Sequence, residues 1–286
     1  GGGGGQRAFR YEAAWARHEG YEEMVGRAWA DAQVANQEAG AMGATCSQLR
    51  LTSRAMQTWS KHVFGSIKKQ ICHLKGQLVD AKERAAQTGY GQEIKDIEDQ
   101  LHELYEREEI YYKQRSRIDW LTEGDQNTKY FQNRASHRKR KNTIKALKKE
   151  DGSKCTDDDG MRNMAASFYA NLFASEDSQE GERVLQHIEA SVTEEMNAKL
   201  GAPFTNEEIE RALFQMGPTK SPGPDGLPAM FYQKHWSLVK GDVYNAVRDF
   251  LAGYAAPNGF NDTVLVMIQK VSSPELLTQF RPISLS

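Results

Sequence analysis

The sequence predicts a mainly α chain with a small β component, an α+β protein organised around a long helical hairpin. Three observations lead there. From Tyr11 to Leu121, apolar residues recur mostly at three- and four-residue steps, the spacing of one helix face. Runs rich in β-branched residues are few and short, chiefly Thr143–Leu147 and Thr263–Gln269. The hydrophobic fraction is only 39% while aromatics reach 9%, and mean hydropathy is −0.70. That combination fits elongated helical parts with thin cores rather than a disordered chain.

In chain order, Gly1–Gly5 is a flexible lead-in. A helix is expected from Tyr21 to Gln37, with Met24, Val25, Ala28 and Trp29 inward. Two apolar stripes follow. Met56, Trp59, Val63, Ile67, Leu74 and Leu78 form the first, and Ile94, Ile97, Leu101, Leu104, Tyr111 and Ile118 the second. Thr88-Gly89-Tyr90-Gly91 between them is a turn signal, so two long antiparallel helices with a coiled-coil-like seam are expected. Glu108 and Arg115 interrupt the second stripe. Gly124 ends that helix and Asp125 caps the next. Thr143–Leu147 reads as a short strand, Asp151-Gly152 as a hairpin turn and Lys154–Thr156 as the returning strand. Met161–Phe173 is amphipathic, with Met164, Ala165, Phe168, Leu172 and Phe173 on one side.

Ser175–Glu182 is acidic and polar and reads as a loop, followed by a short helix around Val184, Leu185 and Ile188. Thr205-Asn206-Glu207-Glu208 fits a capping box, its helix carrying Ile209, Leu213 and Met216 inward and ending by Gly217-Pro218. Helices Pro228–Trp236 and Asp242–Leu251 come next, the second burying Val243, Val247, Phe250 and Leu251. Thr263–Gln269 reads as a buried strand with Phe280–Leu285 as its partner.

A net charge of −2 gives the whole chain no nucleic-acid signature, but the charge is unevenly placed. Arg134, Arg138, Lys139, Arg140, Lys141, Lys145, Lys148 and Lys149 fall in a stretch without an acid between Gln126 and Lys149. Such a block projects a strong positive field, for which a phosphate backbone is the natural partner. A solvated face or a nuclear-import signal explains the same charges. Cys46, Cys72 and Cys155 are odd in number and lack CxxC spacing, so free thiols in a reducing compartment are expected. Cys72-His73 has no partners at zinc-ligand spacing. The apolar run Val264–Ile268 is far too short to span a bilayer, and neither a membrane partner nor a signal peptide is expected. The expected setting is intracellular, with the nucleus compatible.

Lys220-Ser221-Pro222-Gly223-Pro224-Asp225-Gly226 cannot be regular structure. Two prolines fix φ and withhold N–H donors, and two glycines admit positive φ. The segment reads as a stiff turn in which Asp225 bonds nearby backbone N–H groups rather than a metal. Lys220, at its entry, stands where a nucleic-acid backbone can approach. Lys270 ends one expected strand and Arg281 opens its partner, so a hairpin would bring them to one surface. An ammonium and a guanidinium fork together suit a triphosphate. They equally serve as edge-strand charges that discourage aggregation. No Ser/His/Asp or Cys/His set is present, no residue is assigned to catalysis, and Asp157-Asp158-Asp159 sits at an expected helix N-terminus rather than a metal site.

Lys220–Gly226, Leu227–Trp236 and Phe280-Arg281-Pro282-Ile283-Ser284-Leu285, in that order, resemble the first two characteristic blocks of the reverse transcriptase of LINE-type (non-LTR) retrotransposons. Trp120–Phe131 with Ala135–Ile144 resembles the segment just before the polymerase fingers in that family, and Phe9-Arg10-Tyr11-Glu12 with Trp15 is similar to the close of its endonuclease domain. The resemblance implies four regions: a tail at 1–12, a helical linker at 13–122, a basic pre-fingers segment at 123–204 and the start of the fingers at 205–286. It implies template contacts from Arg134, Arg138, Lys139, Arg140, Lys141, Lys145 and Lys220, and nucleotide-phosphate contacts from Lys270 and Arg281. At the former of these two the family usually has Ile-Pro-Lys, where this chain has Ile268-Gln269-Lys270. The implied partners are an RNA template, a DNA primer and a deoxynucleoside triphosphate. The family's metal-binding aspartates would follow Ser286, so the resemblance implies a middle fragment that holds no cofactor itself, with Mg²⁺ needed by the intact enzyme. A helical scaffold or interaction protein, or a remnant without present function, is the alternative from a different class.

Overall fold

Gly65 divides what reads in sequence as one long apolar stripe. The structure, a computed structural model, describes residues 9–35, 40–89, 91–116, 128–174 and 191–285. In it α2 runs Ala41–Val63 and α3 runs Ile67–Thr88, and between them Gly65 has φ +53°. A left-handed residue stops the α2 hydrogen-bond ladder, and glycine alone takes it without a Cβ penalty. The two halves of the stripe then serve different cores. Met56, Trp59 and Val63 pack with the aromatic cluster of Tyr11, Trp15, Tyr21 and Phe231, whereas Ile67, Leu74 and Leu78 face α4 (Gln92–Ser116). The expected hairpin is therefore α3–α4 alone.

That hairpin turns after Gly89, which is left-handed at φ +72° and donates its N–H to the Ala85 carbonyl at 2.8 Å. Arg84–Glu93 and Lys82–Glu98 ion pairs, and Lys75 over the Tyr105 ring, mark the antiparallel register. Its seam is Ile71, Ala81, Ile97, Leu101 and Leu104. The expected Ile118, and the Gly124 and Asp125 caps, lie outside the described residues.

The described residues form two compact units. The larger draws on Gly1–Lys141, Glu210–Val264 and Ser284–Ser286, the smaller on Asn142–Ile209 and Leu265–Ile283. In the larger, a short 3₁₀ turn Ala13–Arg17 precedes α1 (Tyr21–Ala35), which packs on α2. The helix α10 (Trp236–Leu251) packs on α2 as well. Asp242 joins all three helices: its carboxylate accepts from Trp29 Nε1 at 2.9 Å and Gln48 Nε2 at 3.5 Å, and its carbonyl from Thr45 at 3.2 Å. α10 starts six residues before the expected Asp242, because Trp236 and Val239 are needed in the core against Trp29. Its buried positions are Trp236, Val239 and Ala246. Phe250 and Leu251, expected inside, are exposed, since they extend past the region that Trp29 covers. Also in this unit is α5 (Thr128–Asn142), anchored by the buried Phe131.

In the smaller unit the expected strand Thr143–Leu147 shrinks to β1 (Leu147–Lys148). It pairs antiparallel with β2 (Lys154–Cys155) across a turn in which Gly152 has φ +84°. Asp157 caps α6 (Asp158–Leu172), accepting from the Gly160 N–H at 2.6 Å. α6 buries Met161 and Tyr169, keeps Met164, Ala165 and Phe168 of the expected side half-buried, and leaves Leu172 and Phe173 exposed. Met161 is the residue that reaches Leu147, Cys155 and Phe280, which fixes the helix rotation. The loop expected at Ser175–Glu182 and the helix at Val184–Ile188 lie outside the described residues. A helix not anticipated, α7 (Glu194–Leu200), is capped by Thr193.

The capping box is formed in full. Thr205 N–H donates to Glu208 Oε2 at 2.9 Å, and Glu208 N–H to Thr205 Oγ1 at 3.2 Å, opening α8 (Asn206–Gln215). Ile209 is buried, but Met216 is exposed because α8 has already ended at Gln215.

β3 (Val264–Gln269) pairs with β4 (Phe280–Leu285). β3 is not the buried strand expected. Val264, Leu265 and Ile268 are exposed, since the sheet has two strands and packs through Met267 and Phe280. Among the described residues no helix is long and apolar enough to cross a membrane.

Candidate nucleic-acid interface

The Pro/Gly segment is held from both sides within the larger unit. The Lys220 N–H donates to the Gly217 carbonyl and the Gly226 N–H to the Gly223 carbonyl, both at 3.1 Å. Asp225 folds back: its Oδ1 accepts from the Leu227 N–H at 3.1 Å and its Oδ2 from the Tyr232 hydroxyl at 3.2 Å. The residue's outer edge is exposed, but the carboxyl turned inward loses water, which raises its pKa against the opposing pull of those hydrogen bonds. Tyr232, on α9 (Ala229–Lys234), is raised in turn by burial and by the Asp225 charge. Gly226 has φ +74°, its carbonyl accepts from the Tyr11 N–H at 3.0 Å, and a Cβ there would stand 2.2 Å from the Phe9 carbonyl oxygen. The turn thus locks onto the strand-like entry of the chain. Gln233 closes the other side by donating to the carbonyls of Leu213 and Met216 at the end of α8.

Tyr232 and Gln233 were not singled out by the sequence. Their signal is position: they lie six and seven residues after Gly226, where an α9 side chain can reach back.

The basic block divides. Arg134, Arg138, Lys139, Arg140 and Lys141 all lie on α5, while Lys145 belongs to the smaller unit. Arg134, Lys139, Arg140 and Lys141 are exposed. Arg138 is half-buried and donates to the Ser116 carbonyl at 3.4 Å, tying α5 to the end of α4. Tyr130 is exposed beside the buried Phe131.

Lys270 and Arg281 share the smaller unit. The Lys270 N–H donates to the Gln279 carbonyl at 2.8 Å, so position 281 falls opposite 268 and on the same sheet face as 270. This is the outward face, since Phe280 and Met267 occupy the other. Lys270 Nζ is partly engaged, donating to the Thr278 carbonyl at 2.9 Å within its own hairpin. Arg281 is exposed.

Among the described residues no three or more His, Cys, Asp or Glu side chains gather where they could hold a metal ion. The three cysteines are free thiols, with Cys155 buried and Cys72 exposed.

The described residues thus carry a basic helix and a clamped Pro/Gly turn in the larger unit, and a sheet face with two cations in the smaller. No protein-family model matches the chain. It is similar to a Xenopus laevis protein described as "Transposon TX1 uncharacterized 149 kDa protein", with 27% identity over 233 residues. The match covers 80% of this chain and 18% of that protein. The chain is thus transposon-related and spans about a fifth of the length of the relative it matches.

Proposed function

We propose that the chain is a nucleic-acid-binding portion of an RNA-directed DNA polymerase of a LINE-type retrotransposon. The observation that carries this reading is the exposed basic face of α5, in a chain whose overall charge is slightly negative. A field concentrated on one helix favours a polyanion rather than general solubility. The similarity to a transposon protein gives that field a biological setting. On this reading α5, Lys145 and Lys220 grip template RNA, and Lys270 with Arg281 contact the phosphates of the incoming nucleotide. The turn Pro222–Gly226 is a structural clamp within the larger unit and does no chemistry. Two Mg²⁺ ions would serve the polymerase reaction by stabilising in-line displacement at the primer's 3′ hydroxyl. None of this chain's residues is assigned to them.

The test is RNA binding across a salt series. Neutralising Arg138, Lys139, Arg140 and Lys141 to Gln should make the plot of log affinity against log salt shallower by about 3, from roughly 0.7 per lost single-strand phosphate contact. Equal slopes for wild type and variant, with both folded by circular dichroism, would overturn the reading and favour a helical scaffold.

A further inference from the structure

A second basic surface lies on α2. An open groove of about 1320 Å³ within the larger unit runs between α2, the Lys220–Asp225 turn and the loop Pro257–Asp262. On the helix side stand Arg50, Arg54 and Lys61. They are spaced i, i+4 and i+11, so they form one stripe, with steps of about 6 and about 10 Å along the axis. All three are exposed, and none of their side chains takes part in an ion pair or hydrogen bond among the described residues. Lys220 faces them from the turn.

Four cations in the groove stand against two carboxylates, Asp225 and Asp262. That of Asp225 is already occupied by the Leu227 N–H and the Tyr232 hydroxyl. The groove also has an aromatic wall. Phe260 is 39% exposed and is steadied by the Phe250 ring at 5.5 Å. A row of cations beside an exposed aromatic ring suits a strand whose phosphates follow the charges while an unpaired base meets the ring. A duplex keeps its bases stacked and has no use for the ring.

We infer that this groove binds a single-stranded nucleic-acid segment, with Arg50, Arg54, Lys61 and Lys220 on its phosphates and Phe260 stacking a base. This site is separate from α5 and rests on the reading above only in that the ligand is nucleic acid. The turn then has a direct role, because its rigidity fixes the width of the groove.

The full chain is titrated with labelled oligouridylate, oligothymidylate of the same length and blunt duplex DNA over a salt series. The variants are R50Q/R54Q/K61Q, R50K/R54K, Phe260→Ala and the α5 quadruple substitution, each checked by thermal melting. The groove triple variant should lose about tenfold in single-strand affinity at moderate salt, and its slope should fall by about 2. R50K/R54K should keep most of the binding. Phe260→Ala should weaken single strands without changing the slope. The α5 variant should retain groove-dependent binding. A preference for oligouridylate or for oligothymidylate tells RNA from DNA, and either supports the site. Wild-type affinity and slope in the triple variant, with loss confined to the α5 variant, would overturn the groove while sparing the α5 reading. Loss confined to the triple variant would do the reverse. Duplex binding equal to single-strand binding, and equally lost in the triple variant, would overturn the single-strand assignment.

Discussion

The Tyr21 hydroxyl and His235 Nε2, 214 residues apart in sequence, meet at 2.9 Å in the aromatic core of the larger unit. Tyr11 lies 3.3 Å from the same hydroxyl, and Glu22 lies 3.2 Å from His235 Nδ1. This ties the start of α1 to the junction of α9 and α10. Burial pushes the Tyr11 pKa up to about 12 and raises Tyr21 as well, so both stay neutral and available to hydrogen-bond.

His235 should give the fold a pH dependence. Burial lowers its pKa below the usual 6.5, with Glu22 opposing the shift and Lys234 adding to it. The unfolded chain therefore binds the proton more readily than the folded one, and stability rises with pH across this window. The contribution is complete above the unfolded value and is lost as pH falls towards the folded one. Thermal unfolding should show a lower midpoint at pH 5.5 than at pH 7.5. His235→Phe should flatten that difference, whatever its effect on the midpoint itself. An unchanged pH dependence in His235→Phe would remove His235 as the cause.

Gly226 and Gly253 separate two costs that are usually confounded. Both have positive φ, +74° and +85°. A Cβ at Gly253 meets open space, whereas at Gly226 it strikes the Phe9 backbone. Gly253→Ala should cost about 1 kcal/mol, the conformational term alone. Gly226→Ala should cost about 3 kcal/mol or more, because chain entry and turn must separate. Urea unfolding of the two variants measures the gap.

Asp242 should behave as a half-buried junction rather than a surface charge. Asp242→Ala leaves the Trp29 indole N–H without its acceptor and should cost about 2 kcal/mol. Asp242→Asn keeps an acceptor oxygen and should cost less. Denaturant midpoints of the two variants decide the order, and equal losses would mean that the indole bond contributes nothing.

Much of this was legible because local chemistry sufficed. The Thr205–Glu208 box, the Gly89 stop and the Asp151-Gly152 turn are each set by residues a few positions apart. The partition of Met56–Leu78 between two cores was not legible, because one apolar periodicity runs through Gly65 without a break. The length of helix that is covered was not legible either, although the inward faces were. Only a distant contact, such as Trp29 on Val239 or Met161 on Phe280, says which stretch of an apolar face is inside. At the candidate interface, the α5 block was visible as a charge run. The Arg50–Lys61 stripe was hidden because its charges are separated in sequence and align only once the helix is wound.

The strand β3 yields the last prediction. Its hydrophobicity equals that of a core strand, yet its two faces have different fates. Met267 packs with the buried Phe280 of β4, while Val264 and Ile268 lie on the face that carries Lys270 and Arg281. Phe280→Ala opens a cavity among Leu147, Cys155 and Met161 and should cost about 3–4 kcal/mol. Ile268→Thr removes exposed apolar surface from a strand that keeps its β propensity, and should leave stability within about 0.5 kcal/mol while raising solubility. The comparison is made by chemical unfolding alongside light scattering on concentration. A loss from Ile268→Thr as large as that from Phe280→Ala would mean that this face is covered rather than open. The small β component would then owe its stability to both sides of the sheet.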